Sequence, residues 1–279
     1  MHKKIVFLDV DGTLLPDSGK MTEKVKEAIL KARENGHYIF ICTGRNKAGI
    51  EDLLDIGFDG MICSAGSYVE VNHQVVFDCS LEDEDVKKAR DIFEKNHVFY
   101  NLETTYKTFQ NEDMNEIFAK TRMVEGTNFE FQRLMREFNE RFHVSSLKDY
   151  DAHPIPVKKI CFVAMKEEDL KEPKEKLSSQ YHFIIHEMFS KDVLNGEIIL
   201  KGRDKATGIQ KAVEALQMTM DDTIGFGDSM NDLEMIQACA IGVVMGNGSL
   251  ELKKYADMIC ESVDHDGVYY GMQKLGLLD

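Results

Sequence analysis

KKIVFLDVDGTLL, residues 3–15, places a continuous apolar run directly before two aspartates, Asp9 and Asp11. Residues 5–8 do not alternate with polar residues, which predicts a strand buried on both faces of a parallel sheet. In an open parallel sheet, ligands bind at the carboxyl ends of the strands. Taken alone, the two aspartates fit a strand-end turn as well as a ligand site, so the rest of the chain has to decide between them.

The first third of the chain alternates predicted strands with predicted helices. This βαβαβ pattern predicts an α/β fold with a doubly wound parallel sheet. The predicted elements are strands at 5–8, 38–42 and 61–63, a helix capped by Thr22 and ended by Gly36, a helix near Ile50, and a hairpin at 67–78 that turns at Asn72 and His73.

The middle of the chain has a different texture, which predicts an inserted domain. Residues 82–95 are highly charged, and residues 128–141 read as a polar helix. The βαβ rhythm returns at about residue 191. We therefore predict one core domain built from residues 1–81 and 191–279, with a second α/β domain inserted at 82–190. Met188 and Phe189, where the insert rejoins the core, are candidates for lining a pocket.

Several strand ends of the predicted core carry polar side chains. Carboxylates crowded together at such a place are tolerable only if a cation lies between them or one is protonated. The candidate ligands are all oxygen atoms, which favours Mg²⁺ or Ca²⁺ over zinc. Few protein ligands and an anionic substrate favour Mg²⁺. The polar residues at these strand ends are Asp9, Asp11, Thr43, Gly44, Lys205, Asp228, Asn231 and Asp232, of which the carboxylates are the candidate metal ligands.

The same residues favour phosphoryl transfer. Thr43 and Gly44 offer a hydroxyl and backbone N–H groups at the start of a helix, which is a typical phosphate seat, and Lys205 adds positive charge. A carboxylate beside a phosphate can act as a nucleophile and form an aspartyl-phosphate. A second carboxylate nearby can protonate the leaving oxygen and later activate water.

Four segments resemble, in order, the four motifs of the haloacid dehalogenase superfamily. They are DVDGTL at 9–14, TGR at 43–45, KATGI at 205–209 and GDSMND at 227–232. VVMGNG at 243–248, YAD at 255–257 and DHDGV at 264–268 resemble its Cof-type phosphatase branch, in which a type IIB α/β cap is inserted between the second and third motifs. The resemblance thus implies a Rossmann-like core with an α/β cap.

The resemblance also implies a role for each candidate. Asp9 would be the nucleophile and a metal ligand, and Asp11 the general acid and base, with its backbone carbonyl on the metal. The phosphate would be held by Thr43, Gly44 and Lys205. Asn231 would contact the phosphate or support Lys205. The remaining Mg²⁺ ligands would be Asp228 and Asp232, the latter as a ligand or as support for one.

The chain departs from the branch pattern at three places. Ala65-Gly66-Ser67 stands where Asn-Gly-Ala is usual, MGNG at 245–248 replaces the commoner MGNA, and Lys201 stands where Pro is usual. None of these changes removes a catalytic group.

Composition limits the partners. The net charge of -15 disfavours nucleic acid and anionic lipid as general partners. No apolar run approaches the roughly 18 residues of a membrane span. Six cysteines without a CxxC pair are typical of a reducing compartment. We expect a cytoplasmic protein of unknown oligomeric state.

The sequence therefore predicts a Mg²⁺-dependent phosphatase for small phosphorylated metabolites, such as sugar phosphates or phosphorylated cofactors. A phosphotransferase or phosphomutase, in which a second hydroxyl replaces water, is an alternative. A metabolite-binding regulator without turnover is another, although an intact set of Asp9, Asp11, Lys205 and Asp228 argues against it.

Overall fold

The structure is a computed structural model that describes residues 2–16, 18–111, 144–187 and 194–279. The predicted helix at 128–141 and the pocket candidates Met188 and Phe189 lie outside these residues.

The described secondary structure is mixed α/β. The strands are β1 Ile5–Leu8, β2 Tyr38–Cys42, β3 Gly60–Cys63, β4 Tyr68–Val71, β5 Gln74–Asp78, β6 Phe99–Thr104, β7 Thr108–Gln110, β8 Val144–Ser146, β9 Val157–Ala164, β10 Tyr181–Glu187, β11 Leu194–Leu200, β12 Thr223–Gly227, β13 Ile241–Val244 and β14 Met258–Ile259. The α-helices are α1 Glu23–Glu34, α2 Glu51–Leu54, α3 Asp83–Lys95, α4 Leu147–Ala152, α5 Lys171–Leu177, α6 Lys205–Ala215, α7 Leu233–Ala238 and α8 Gly267–Lys274.

The chain divides into two compact units. The first comprises Met1–Arg45, Ile50–Asp78 and Arg203–Asp279, and the second comprises Asn46–Gly49 and Cys79–Gly202.

The first unit is built on an eight-stranded sheet with the order β14-β13-β12-β1-β2-β3-β4-β5. Strands β14 to β3 in this order run parallel, and the β4–β5 hairpin adds two antiparallel strands. The predicted doubly wound parallel sheet is thereby confirmed. Strand β1 lies between β2 and β12, with Leu8 opposite both Ile41 and Phe226, so the carboxyl ends of these three strands are adjacent.

Strand β1 is buried on both faces, as its unbroken apolar run predicts. Val6 and Leu8 belong to one hydrophobic cluster, and Ile5 and Phe7 belong to another on the opposite face. Since alternate side chains of a strand point to opposite faces, the sheet is covered on both sides. A sheet covered in this way leaves only its strand ends open to a polar ligand.

The second unit contains a six-stranded sheet in the order β10-β11-β9-β6-β7-β8, antiparallel except for the β7–β8 pair. Strand β11 pairs with β9 and β10, so residues 194–202 belong to this unit, whereas we predicted that the core resumes at 191. The backbone N–H of Lys201 donates to the carbonyl of Gln180 at 2.9 Å. A proline, which lacks this N–H, would lose the bond.

Two further features differ from or extend the prediction. The sequence pattern of residues 250–256 favours a helix, but the structure forms only a short 3₁₀ turn there, over Leu252–Tyr255. The six cysteines are free thiols, and four of them are buried. Within the described ranges, none of the helices combines the length and the apolar character that a bilayer span requires.

Candidate active site

The loop after β1 holds Asp9 and Asp11 in a tight turn. The N–H of Asp9 donates to the carbonyl of Phe226 at 3.0 Å, which extends the β1–β12 pairing by one residue. The turn closes when the N–H of Gly12 donates to the carbonyl of Leu15 at 2.9 Å. Gly12 has φ = 79°, and a Cβ built on it would lie 2.4 Å from Oδ2 of Asp228. Glycine is required here for both its conformation and its size.

Helix α6 delivers Lys205 at its first position. The side chain of Asp204 caps the helix by accepting from the N–H of Thr207 at 2.8 Å. The helix start packs against the turn after β3, where a Cβ on Gly66 would lie 1.9 Å from the carbonyl oxygen of Asp204. Gly66 belongs to the Ala65-Gly66-Ser67 segment, which differs from the usual family pattern. Because it has no Cβ, the start of helix α6 can pack closely against this turn, and that packing places Lys205.

The loop after β12 orients Asp232 inward. Its Oδ2 accepts from the N–H of Asp228 at 2.9 Å and from the N–H of Ser229 at 3.2 Å. Ser229 caps the following 3₁₀ turn in a reciprocal capping box with Asp232. The side chain of Asp232 is fully buried. Capping thus explains why an acidic residue stands here, and it fixes the direction of the other carboxylate oxygen.

Lys205 joins the two loops. Its Nζ lies 2.7 Å from Oδ1 of Asp9 and also donates to Oδ1 of Asp232. Both carboxylates and the ammonium group are nearly inaccessible to water. Burial alone lowers the pKa of Lys205, but Asp232 and Asp9 outweigh it and hold that pKa well above its usual value. Lys205 is therefore a permanent cation in this site.

Asp9 sits in an unusual electrostatic setting. Burial and the neighbouring Asp232 carboxylate raise the pKa of Asp9 to about 7, against the opposing effect of Lys205. A raised pKa is the expected result of burying a carboxylate and placing a second carboxylate beside it.

Asp9, Asp228 and Asp232 together form a cluster that fits a metal ion. One carboxylate oxygen from each lies within 4.8 Å of the others. The donor set consists of oxygen atoms, which is the choice of hard divalent cations such as Mg²⁺ and Ca²⁺. A cation there would also relieve the repulsion that raises the pKa of Asp9.

The structure places the other predicted residues as follows. Thr43 and Gly44 follow β2 and are buried, and Oγ1 of Thr43 accepts from the N–H of Arg45 at 3.1 Å. Asn231 lies in the 3₁₀ turn after β12, and its Oδ1 accepts from the hydroxyl of Ser229 at 2.8 Å. The roles predicted for these three residues stay predictions.

Sequence reasoning missed two residues. Arg45, quoted only as part of the TGR motif, donates from Nε and Nη2 to the two carboxylate oxygens of Asp11 at 2.9 and 2.8 Å. Asn247 links two loops: its Nδ2 donates to the carbonyl of Gly12, and its Oδ1 accepts from the N–H of Val263, both at 2.8 Å. A count of charges would have pointed to Arg45, because the four aspartates had been assigned only one cationic side chain, Lys205.

The glycine that ends the MGNG segment also has a steric reason. A Cβ on Gly248, as in the commoner MGNA form, would lie 2.8 Å from Cγ1 of Val244 and 2.9 Å from the carbonyl oxygen of Asp228. The backbone beside Asp228 thus leaves little room for alanine.

Residues 6–272 match the model of a family described as haloacid dehalogenase-like hydrolase. The chain belongs to this family. The resemblance inferred from the four motifs is thereby confirmed, and so is the predicted enzyme class, a hydrolase.

Two relatives that cover nearly the whole chain are named as phosphatases. The chain is 28% identical over 285 residues to a Bacillus subtilis protein named "Putative phosphatase YkrA", with 100% of both chains covered. It is 25% identical to the 5-amino-6-(5-phospho-D-ribitylamino)uracil phosphatase YcsE of Bacillus subtilis, covering 95% of this chain and 92% of that one.

A solved structure agrees with the fold. The sugar phosphatase BT4131, of haloacid dehalogenase subclass IIB, superposes with a TM-score of 0.75 at 25% identity, covering 99% of this chain and 100% of that one.

Proposed function

We propose that this hydrolase is a Mg²⁺-dependent phosphatase that acts on small phosphorylated metabolites through an aspartyl-phosphate on Asp9. The observation that carries the proposal is the position of Asp9: its buried carboxylate touches Lys205 and shares a metal-type cluster with Asp228 and Asp232. Sugar phosphates and phosphorylated cofactors are the proposed substrates, in keeping with the named activities of BT4131 and YcsE. We expect the enzyme to act in the cytoplasm.

In the first step, a carboxylate oxygen of Asp9 attacks the phosphorus atom. The bond from phosphorus to the leaving oxygen breaks, and that oxygen keeps the electron pair. Asp11, in its protonated form, gives its proton to the leaving oxygen, so that an alcohol departs. Lys205 supplies positive charge beside Asp9 throughout. When bound, Mg²⁺ would neutralise negative charge on the carboxylates and on the phosphate oxygens.

In the second step, water attacks the phosphorus of the aspartyl-phosphate. The Asp11 carboxylate, left without its proton by the first step, takes one proton from the water. The P–O bond to Asp9 breaks, and inorganic phosphate and the Asp9 carboxylate are restored. The proton balance closes, because Asp11 gives one proton and recovers one.

Thr43, Gly44 and Asn231 are the proposed contacts of the phosphate group. The Thr43 hydroxyl accepts a hydrogen bond from the N–H of Arg45, and a hydroxyl that accepts can still donate its own proton to a phosphate oxygen. Backbone N–H groups after β2 add neutral donors.

The first experiment measures phosphate release from a panel of phosphorylated metabolites and from p-nitrophenyl phosphate, with Mg²⁺ and with EDTA. We expect turnover that requires the metal and that Asp9→Asn abolishes. Phosphate that reappears on a second hydroxyl, in place of free phosphate, would instead identify a phosphotransferase. Tight binding of a metabolite without turnover would identify a regulator.

A second experiment tests the covalent intermediate. Wild-type protein is mixed with ³²P-labelled substrate, quenched in acid, and examined for label that hydroxylamine removes, since acyl phosphates react with hydroxylamine. Asp9→Asn should carry no label. Asp11→Asn should retain label longer than the wild type, because it lacks the base that activates water. Label that persists on Asp9→Asn would overturn the assignment of the nucleophile.

A further inference from the structure

The loop after β2 brings a second cation to the site, in addition to Lys205. Arg45 and Asp11 form a two-pronged ion pair, with Nε to Oδ2 at 2.9 Å and Nη2 to Oδ1 at 2.8 Å. The two side chains are 14% and 15% exposed. A planar guanidinium that meets both oxygens of a carboxylate fixes the plane of that carboxylate as well as its position.

The backbone on the arginine side of this pair is held in place. Besides the bond from its N–H to Thr43, the carbonyl of Arg45 accepts from the N–H of Ser64 at 2.8 Å. The carbonyl of Thr43 accepts from the N–H of Ala65 at 3.1 Å. The loops after β2 and β3 are thus joined on both sides of Gly44, so the guanidinium extends from a fixed base.

The backbone on the aspartate side is held as well. Gly12, the next residue, is bonded to Leu15 through its N–H and to Asn247 through its carbonyl. What a fixed backbone leaves open is the side-chain rotamer of Asp11. Contacts to both of its oxygens select one orientation, and Arg45 makes such contacts.

We propose that Arg45 is a positioning residue for Asp11, which it holds in the orientation from which Asp11 exchanges a proton with the leaving oxygen. The inference rests on the proposed role of Asp11 as general acid. It gives the TGR arginine a task distinct from holding the phosphate. Positioning of this kind matters because small misplacements of a reacting group cost large factors in rate.

The inference predicts a dependence on the leaving group. The alkoxide of an alkyl phosphate is a poor leaving group and needs a proton as the P–O bond breaks. p-Nitrophenolate is stable as an anion and can leave without receiving a proton. Loss of a residue that acts through Asp11 in the first step should therefore lower kcat/KM strongly for alkyl phosphates and only slightly for p-nitrophenyl phosphate. The ratio kcat/KM reports this step, because it covers events up to departure of the leaving group.

The test compares kcat/KM of the full-length enzyme for p-nitrophenyl phosphate and for the best alkyl phosphate of the metabolite panel. We expect Arg45→Ala to lower the value for the alkyl ester by roughly 10²-fold or more, the usual share of general acid catalysis, and that for the aryl ester less than about tenfold. Arg45→Lys should fall between, since an ammonium group cannot bind both oxygens in one plane. Added guanidinium ion should restore part of the alkyl activity of Arg45→Ala.

Arg33 provides the matched control. It forms a similar two-pronged pair with Asp59, with Nε–Oδ2 at 3.1 Å and Nη2–Oδ1 at 2.8 Å, in the same unit. Arg33→Ala should change kcat/KM for the alkyl and the aryl ester by the same factor. Asp11→Asn should reproduce the selective loss, and adding Arg45→Ala to Asp11→Asn should lower the alkyl rate little further.

The outcomes separate this inference from the proposed function. A selective loss in Asp11→Asn with an equal loss on both esters in Arg45→Ala would overturn the inference alone. An equal loss that appears mainly as a higher KM would identify Arg45 as a phosphate contact instead. Turnover of the aryl ester only, across the whole panel, would overturn the acid role of Asp11 and with it this inference. No turnover of any ester would overturn the proposed function as well.

Discussion

The ammonium group of Lys205 lies 2.7 Å from Oδ1 of Asp9, and each of the two side chains is less than a tenth exposed. The same ammonium group also meets Asp232. A buried ion pair adds little net stability, because desolvation offsets its attraction, but removal of one partner leaves the other charge buried without a counter-ion. Lys205 therefore supports the fold of the site as well as its chemistry.

Replacement of Lys205 by methionine should lower the free energy of unfolding by about 3–5 kcal/mol, because two buried carboxylates lose their cation. Lys211→Met, on the same helix but partly exposed and paired with the exposed Glu214, should change it by about 0.5 kcal/mol or less. Urea denaturation without metal checks both values. Mg²⁺ should stabilise the Lys205 variant more than the wild type. Equal stability of the two variants would contradict the role given to Lys205.

Gly12→Ala should weaken metal binding and activity severely, because its methyl group would overlap the Asp228 carboxylate. Gly202→Ala is the matched control: Gly202 also has a positive φ, 72°, but a Cβ there meets nothing within 4 Å. Both variants should lose roughly 1–2 kcal/mol through backbone strain, and only Gly12→Ala should lose Mg²⁺ affinity, measured by calorimetry. Similar affinities in the two variants would show that the overlap is relieved without cost.

The fold could be predicted well where local pattern and layer position agree. The apolar run before Asp9 is a central strand, and Asn72 and His73 turn the hairpin with positive φ values of 48° and 63°. Strand β11 shows the limit. It pairs with β10, which comes just before it in the chain, and also with β9, where Leu194 lies opposite Ala164. Strand β9 lies beyond α5 and β10 in the sequence, so local pattern does not encode that pairing.

The site was predictable as a set of residues and less so as a set of contacts. Because strand ends of a parallel sheet meet at one edge, Asp9 and Asp228 could be expected together. The ion pair between Arg45 and Asp11 depends on the rotamers of both side chains and on the hydrogen bonds that fix the loop after β2. Neither can be predicted from the sequence pattern. Likewise, Asp232 owes its direction to a capping box that only the folded turn reveals.

The affinity for Mg²⁺ should rise with pH across neutrality. The pKa of Asp9 is raised to about 7, and a metal binds the ionised carboxylate, so a proton must leave below that pH. Calorimetry should find a Mg²⁺ dissociation constant about tenfold larger near pH 6 than near pH 8. The proton release that accompanies Mg²⁺ binding should be largest at the lower pH. Asp9→Asn should bind more weakly and show no such dependence. Equal wild-type affinities at the two pH values would contradict the assignment of Asp9 as a ligand.

Gln217→Gly should stabilise the enzyme. Helix α6, which begins with Lys205, ends in a turn where the N–H of Met218 donates to the carbonyl of Val213 and Gln217 adopts φ = 54°. Glycine takes this left-handed conformation without the strain that a Cβ causes, so the free energy of unfolding should rise by up to about 1 kcal/mol. Gln217→Ala removes the exposed side chain but keeps the Cβ, and should give no such gain. Thermal denaturation of the wild type and the two variants tests this prediction. An equal rise in stability in Gln217→Gly and Gln217→Ala would assign the effect to loss of the glutamine side chain and not to relief of backbone strain.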